Sequence, residues 1–233
     1  MSRPWPVNAL MIKDPLGWMV FSLILLSTWL VFFVAPTEAT MGDVQRIVYL
    51  HVAVAWGGLA GASVMGCCGV AFLIHKKLAW DYWSQAAGEV GWLCATLTLV
   101  SGSAWAHEAW GTWWTWEPRL TASLVLWFIF AGIFLLRSAI DDPVRRARVG
   151  GVLALVGMSD IPLVIMATRW FRGVHPVSPA MEPRMRWVLL VTVICYTALF
   201  AYLVMRRRRQ LEGMELASQL EASAWATCPV PHH

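Results

Sequence analysis

The chain has 233 residues and a formal net charge of +4; 58% of its residues are hydrophobic and only 14% are charged. Soluble domains contain about 25% charged residues, so this chain has too few charges to cover a water-facing surface. Disordered chains are rich in charge and poor in aromatic residues, and the composition excludes that class too. We therefore predict an all-α polytopic membrane protein with one membrane domain.

Six apolar stretches are long enough to cross a bilayer, which takes about 17–25 residues. In lipid each stretch must be a helix, because its backbone amides need partners within the segment. The predicted transmembrane helices cover residues 16–36, 49–74, 85–106, 120–136, 149–168 and 187–205. They form a membrane domain of residues 1–209. Residues 210–233 are predicted to be a flexible cytoplasmic tail, either amphipathic or disordered.

An even number of spans places both termini on the same side of the membrane. That side holds twelve basic residues, which include the run Arg206–Arg209 directly after the sixth span, and the other side holds six. The positive-inside rule assigns the richer side to the cytoplasm. We therefore predict cytoplasmic termini (N-in/C-in) and three outer segments, which are residues 37–48, 107–119 and 169–186.

Two classes of activity are excluded by missing motifs. The sequence contains neither G-x-x-x-x-G-K-[ST] nor G-x-G-x-x-G, so it has no visible site for ATP or a dinucleotide. It also lacks C-x-x-C-H, so it is not itself a covalent c-type cytochrome.

The Trp-rich segment, residues 105–121, lies between the third and fourth spans. It holds five of the sixteen tryptophans, which are Trp105, Trp110, Trp113, Trp114 and Trp116. On a helix, Trp110, Trp113 and Trp114 would share one face, with Trp116 one turn from Trp113. An interfacial belt is one interpretation. We favour a rigid aromatic platform for a large, flat, apolar ligand.

Three histidines are predicted on the outer side with the tryptophans. His51 lies at the outer end of the second span, His175 lies in the last outer segment, and His107 adjoins the Trp-rich segment. Imidazole binds iron, copper and zinc, and it is an axial ligand of haem iron. A structural zinc site usually includes cysteine, and no cysteine is predicted on the outer side. Two histidines from different segments therefore favour a flat iron macrocycle.

Charged residues add to this pattern. The outer arginines, among them Arg46 and Arg119, oppose the positive-inside trend, and Arg binds carboxylates such as haem propionates with a bidentate fork. Asp160 lies in the fifth span, two residues before Pro162. It is either a functional intramembrane acid or a protonated group that hydrogen bonds to backbone freed by the proline.

The stretch W-G-T-W-W-T-W-E-P-R-L-T at residues 110–121 resembles the tryptophan-rich WWD haem-handling superfamily. Its six predicted spans and its length make the chain similar to one family within it, haem exporter protein C, also called cytochrome c maturation protein C. The likeness covers about residues 12–205. It includes Arg46 and His51 in R-I-V-Y-L-H-V, and His175 after the fifth span.

The resemblance implies a function and a site. Haem b, bound non-covalently and in transit, would be held on the outer face of the bacterial inner membrane with His51 and His175 as axial ligands. Trp110, Trp113, Trp114 and Trp116 would contact the haem edge, and Arg46 and Arg119 the propionates or a haem chaperone.

The resemblance also implies partners. These would be the periplasmic haem chaperone (cytochrome c maturation protein E), a small membrane partner (cytochrome c maturation protein D) and the ABC pair (cytochrome c maturation proteins A and B). The protein would assist covalent loading of haem onto the chaperone without hydrolysing ATP.

Three positions depart from the family pattern. The family usually has Asp at Glu117, a residue other than proline at Pro118, and often Pro at Ala53. Glu117 keeps the charge on a longer side chain, and proline is tolerated at a helix start. His107 is not part of the pattern and receives no ligand role.

Three other functions fit parts of the sequence. The chain would be the permease component of an ABC haem exporter if it moved haem across the bilayer, although its cytoplasmic loops are small for docking an ATPase. A membrane b-type cytochrome would need a second histidine deep in the membrane. A structural scaffold would use the Trp-rich segment only to dock proteins and would bind no pigment.

Overall fold

The computed structural model describes residues 14–171, 175 and 181–227. Within these ranges the chain forms six long α-helices and no strand. They are α1 (Pro15–Trp29, continued as a π-helical turn Leu30–Val34), α2 (Arg46–His75), α3 (Leu78–Trp110), α4 (Pro118–Ser138), α5 (Pro143–Trp170) and α6 (Pro183–Thr227).

Five of the six helices are long and apolar enough to cross a membrane, namely α1, α2, α4, α5 and α6. The chain is thus an all-helical, multi-pass membrane protein. The third predicted span corresponds to α3, which is not among the five. Its Asp81, Glu89, tryptophans, glycines and hydroxyl residues lower its mean hydropathy. Since α3 contacts α2, α4, α5 and α6, much of this polar surface faces protein.

Small residues bring α2 and α3 into close contact. A Cβ added to Gly61 would lie 2.4 Å from the Cα of Gly91, and one added to Gly57 would lie 2.9 Å from the sulfur of Cys94. On another face of α2, Gly69 meets Gly151 of α5, where an added Cβ would lie 3.1 Å from the Gly151 Cα. Small residues at such positions let two helices approach each other closely.

The main apolar core lies where α2, α3, α4 and α5 meet. Its fully buried members include Met65 of α2, Phe130 of α4 and Ala154 of α5. Trp92 of α3 and Trp127 of α4 pack against this core with ring centroids 5.5 Å apart. This core holds together the helices that carry the site described below.

Helix α6 is far longer than its predicted span. Its 45 residues correspond to about 68 Å of helix, while the hydrocarbon core of a bilayer is about 30 Å thick. The helix is therefore longer than a single membrane crossing requires, and it continues through residues 210–227. From the sequence, the tail could be either amphipathic or disordered. In the structure it is helical as far as Thr227.

Ion pairs tie the predicted cytoplasmic ends of the helices together. Arg137 of α4 donates two hydrogen bonds to Asp81 of α3, at 2.7 and 2.9 Å, and both side chains are buried. Arg207 of α6 pairs with Glu89 of α3. The predicted third span began at residue 85, and the predicted fourth span ended at residue 136, one residue before Arg137. Helix α3 instead begins at Leu78, and its Asp81 pairs with Arg137 inside the bundle.

The start of α1 is fixed to α6. Asp14 caps α1 by accepting from the backbone N–H of Gly17 at 3.0 Å. It also accepts from the Tyr202 hydroxyl at 2.7 Å and from Arg206 at 3.0 Å. The hydrogen bonds from Gly17 and Tyr202 hold the pKa of Asp14 below its usual range. Ionised Asp14 thus joins the beginning of α1 to the end of the membrane part of α6.

Candidate haem site

The two histidines singled out from the sequence line one cavity. His51 lies near the beginning of α2 and His175 follows α5, and Arg119 at the start of α4 joins them. This histidine cavity has a volume of about 70 Å³. The remaining lining residues are Ala55, Gly58, Leu59, Ala95, Thr98, Leu120, Ser123 and Leu126. Its walls are mostly small and apolar, and its strongly polar groups are the two imidazoles and one guanidinium.

Helix α3 supports the ring of His51. The Nδ1 atom of His51 lies 3.1 Å from the hydroxyl oxygen of Ser101. The next residue is Gly102, where an added Cβ would lie only 2.8 Å from the Cε1 atom of His51. Sequence reasoning missed both residues, since neither is aromatic, charged or a metal ligand. The only signal in the sequence was a Ser-Gly pair near the outer end of an apolar helix.

The Trp-rich segment is not helical throughout. Helix α3 ends at Trp110, because Gly111 adopts a left-handed conformation with φ of 72° and closes the helix with its N–H on the His107 carbonyl. A glycine in this conformation is a common end of a helix. Trp113, Trp114 and Trp116 lie beyond it in irregular structure. The predicted helical face of Trp110, Trp113 and Trp114 was therefore wrong.

The tryptophans instead form separate aromatic contacts. Trp110 meets the ring of His175 edge-on with centroids 6.3 Å apart, and Trp114 meets Trp116 edge-on at 5.9 Å. Trp113 stacks on His107 at 4.2 Å. Trp113 and Trp116 are 60% and 75% exposed, so they are available to a ligand or another protein. Trp110 connects the segment to the histidine cavity through His175.

Glu117 joins the Trp-rich segment to the last outer segment. The side chain of Glu117 is buried. Its Oε2 atom accepts a hydrogen bond of 3.1 Å from the backbone N–H of His175. Helix α4 begins at the next residue, Pro118, where proline fits because the first N–H of a helix has no internal partner. Glu117 thus helps to hold His175 beside α4.

Arg46 lies in a different place from Arg119. It donates to the carbonyl oxygens of Val31 and Ala35 at the end of α1 and pairs with Asp43 at 2.9 Å. It lines a second cavity of about 620 Å³ between α1, α2 and α6. The two arginines proposed to bind carboxylates are therefore not together: Arg119 belongs to the histidine cavity, and a ligand contact of Arg46 stays a prediction.

Asp160 is buried on α5 and is not among the residues that line the histidine cavity. The helix continues through Pro162. Within the described part of the chain, the Oδ2 atom of Asp160 has no hydrogen-bond partner. The structure thus supplies no basic partner for this oxygen, and both interpretations of Asp160 stay open.

The fold and the site define the class of the protein. It is an all-helical, multi-pass membrane protein in which two histidines from separate segments share a cavity beside an aromatic segment. Neutral imidazole is a common ligand of haem iron, and aromatic side chains pack against flat apolar ligands.

Comparison with known proteins identifies the family. The family model described as heme exporter protein C matches residues 7–222. The heme exporter protein C of Escherichia coli K12 is 32% identical over 213 residues, which cover 89% of this chain and 82% of the relative. That of Bradyrhizobium diazoefficiens is 32% identical over 207 residues, or 82% and 78% of the two chains.

A plant protein is also similar. The putative cytochrome c biosynthesis ccmC-like mitochondrial protein of Marchantia polymorpha is 31% identical over 153 residues, which cover 66% of this chain and 64% of the relative. The chain therefore belongs to the heme exporter protein C family. This membership supports a haem-handling role in cytochrome c maturation.

Proposed function

We propose that this protein binds haem b non-covalently on the outer face of the bacterial inner membrane and delivers it to a periplasmic haem chaperone, cytochrome c maturation protein E. The observation that carries the proposal is the placement of His51, His175 and Arg119 around one cavity. Two imidazoles meet the ligand needs of haem iron, and a guanidinium suits a propionate.

The aromatic segment supports haem as the cargo. Trp110 contacts His175, and the more exposed Trp113 and Trp116, with Trp114, offer apolar surface for the haem edge and for the chaperone. The histidine cavity of about 70 Å³ is smaller than ligand pockets of about 300–1,000 Å³. Haem binding therefore has to widen it.

The proposed topology places this site in the periplasm. In it α3 crosses the membrane as the third of six spans, both termini are cytoplasmic and the arginines at 206–209 lie at the cytoplasmic surface. The long contact of α3 with α2 supports a transmembrane α3.

The proposed partners follow from what the chain lacks. It has no ATP-binding motif, so release of the loaded chaperone would depend on the ABC pair, cytochrome c maturation proteins A and B. The small cytochrome c maturation protein D would be a further membrane partner. The names of the relatives, which refer to heme export and cytochrome c biosynthesis, agree with such a system.

The protein acts by positioning rather than by reacting. His51 and His175 hold the iron, Arg119 and the tryptophans orient the macrocycle, and the chaperone binds beside them. Any covalent loading of haem onto a histidine of the chaperone would be a reaction between those two partners, and this chain's residues would only hold and orient the haem for it. Holding the reactants in place lowers the entropic barrier to this step, while the chemistry belongs to the cofactor.

The test is the absorption spectrum and extracted haem content of the purified wild type and of His51→Ala, His175→Ala and the double variant. The matched control is His75→Ala, since His75 is exposed at the opposite end of α2. We expect a low-spin spectrum for the wild type and His75→Ala, and a high-spin spectrum or loss of haem for the other variants.

Other results would contradict the proposal. Unchanged spectra in both single variants and the double variant would show that His51 and His175 are not the haem ligands. A wild type that stays colourless after addition of haem and co-expression with its partners would favour a docking scaffold. Haem accumulation in vesicles that requires this protein and the ATPase would favour the permease.

A further inference from the structure

The ring of His51 has two nitrogens, and Nδ1 is the one that α3 engages. We propose that Ser101 is a positioning residue, which holds His51 in the tautomer with hydrogen on Nδ1 and leaves the lone pair of Nε2 available to a metal ion. Applied to haem, this inference rests on the proposed function. The tautomer itself is a property of the chain alone.

The direction of the hydrogen bonds carries the inference. The Ser101 hydroxyl donates to the carbonyl oxygen of Leu97, one turn earlier in α3, at 2.6 Å. A hydroxyl has a single hydrogen, and two oxygens 2.6 Å apart with no hydrogen between them would repel each other. Ser101 is therefore an acceptor towards the Nδ1 atom of His51 at 3.1 Å, and Nδ1 must carry the hydrogen.

The tautomer decides which nitrogen can bind iron. In neutral imidazole one nitrogen bears hydrogen and the other a lone pair, and the hydrogen bond of one nitrogen sets the state of the other. With hydrogen on Nδ1, the lone pair lies on Nε2. Metal-bound histidines generally donate their other N–H to an acceptor that fixes the ring and raises its basicity. Ser101 supplies that acceptor.

Gly102 provides the space for this arrangement. A Cβ at this position would lie 2.8 Å from Cε1 and 3.3 Å from Nδ1 of His51, which is too close for the ring to stay in place. A side chain at residue 102 would therefore push the imidazole away from Ser101. The Ser-Gly pair sets both the tautomer and the position of the ring.

The first experiment uses the haem-free protein. Histidine ring ¹⁵N shifts distinguish protonated from unprotonated nitrogen, and the His51 signals are identified by their loss in His51→Gln. At about pH 8, where histidine is ordinarily neutral, we expect protonated Nδ1 in the wild type. We expect a mixture of tautomers in Ser101→Ala and the wild-type pattern in Ser101→Thr, which keeps the hydroxyl.

The second experiment measures haem binding and the midpoint potential of the bound haem. Loss of such a supporting partner typically lowers metal affinity about 10–100-fold, and we expect this loss and a shifted potential in Ser101→Ala and Gly102→Ala. Ser101→Thr should restore both quantities. Ser63→Ala is the matched control, because Ser63 makes the same bond to the carbonyl four residues earlier, at 2.9 Å, but lies about three turns from His51 along α2.

The outcomes separate the two proposals. Protonated Nε2 in wild-type His51, or a tautomer unchanged in Ser101→Ala, would overturn the role of Ser101. Equal haem affinity and potential in Ser101→Ala and wild type would overturn its role in binding. Wild-type protein that binds no haem would contradict the proposed function, while the ¹⁵N experiment would still decide whether Ser101 fixes the tautomer.

Discussion

At the scale of single residues, the candidate site depends on contacts that no motif describes. His175 is held by the buried side chain of Glu117, and His51 by Ser101. A ligand must be held in position to bind a metal efficiently. The residues around the two histidines should therefore matter nearly as much as the histidines themselves.

Glu117→Ala should loosen the attachment of His175 to the start of α4. A hydrogen bond to a charged group contributes about 1.5–3 kcal/mol, and alanine removes the acceptor for the His175 N–H. We expect weaker haem binding and faster proteolysis of the segment around residue 175. Glu117→Gln keeps an acceptor oxygen at the same length and should stay close to wild type.

The measurement is haem affinity by titration, together with limited proteolysis of the same samples. Affinity and proteolysis in Glu117→Ala that match wild type would show that the contact does not hold His175. A loss in Glu117→Gln as large as that in Glu117→Ala would show that the negative charge, rather than the acceptor oxygen, is needed.

At the scale of helices, close packing and buried ion pairs hold the elements in register. Gly61 and Gly91 set the distance between α2 and α3, the two helices that carry His51 and Ser101. At the other end of the bundle, Arg137 joins α4 to α3 through Asp81. A change at either place should alter the stability of the whole bundle.

Gly61→Ala should destabilise the protein. The new Cβ would meet the backbone of Gly91 at 2.4 Å, so the helices would have to separate, and overpacking costs about 1–3 kcal/mol. Thermal unfolding in detergent measures the effect. Gly132→Ala on α4 is the control, since nothing lies within 4 Å of its added Cβ; it should be neutral or stabilising by about 0.5–1 kcal/mol. Equal melting temperatures for Gly61→Ala and Gly132→Ala would refute the close packing of α2 and α3.

Removing Arg137 alone should be costly. Arg137→Ala leaves the buried Asp81 carboxylate without its partner, and breaking a buried pair costs about 3–5 kcal/mol. Replacing both residues, as in Asp81→Leu with Arg137→Met, removes both charges and should recover most of the lost stability. The double-mutant cycle by thermal unfolding measures the coupling, and additive effects of the two changes would argue against the pair.

At the scale of the whole molecule, the charge distribution separates two ends. The predicted cytoplasmic end holds the ion pairs of α3, α4 and α6 and a cavity of about 680 Å³ lined by Asp81, Glu89, Arg137 and Arg146. The other end holds the histidine cavity and the Trp-rich segment. The proposed direction of haem delivery depends on which end faces the periplasm.

Reporter fusions should establish this topology. Alkaline phosphatase is active only outside the cytoplasm, and green fluorescent protein fluoresces inside it. We expect phosphatase activity for fusions after Thr112 and Phe171, and fluorescence for fusions after Ile140 and Thr227. Thr112 can lie outside only if α3 crosses the membrane. Fluorescence from a green fluorescent protein fusion after Thr112 would therefore show that α3 is not a transmembrane span.

The sequence by itself determined the helical membrane class and the family. Long apolar stretches permit only helices in lipid, so five of the predicted spans reappear in α1, α2, α4, α5 and α6. The Trp-rich motif and the two histidine motifs were sufficient to recognise the family. These features are local and depend on composition and order along the chain.

The tertiary structure decided which distant residues meet. The sequence contains nothing to indicate that Ser101 reaches His51, that Glu117 reaches His175, or that Arg46 and Arg119 line different cavities. It also suggested a helical face of tryptophans that Gly111 interrupts. Such contacts depend on how helices far apart in sequence pack together, and hydrophobic patterns along a single helix do not specify that packing.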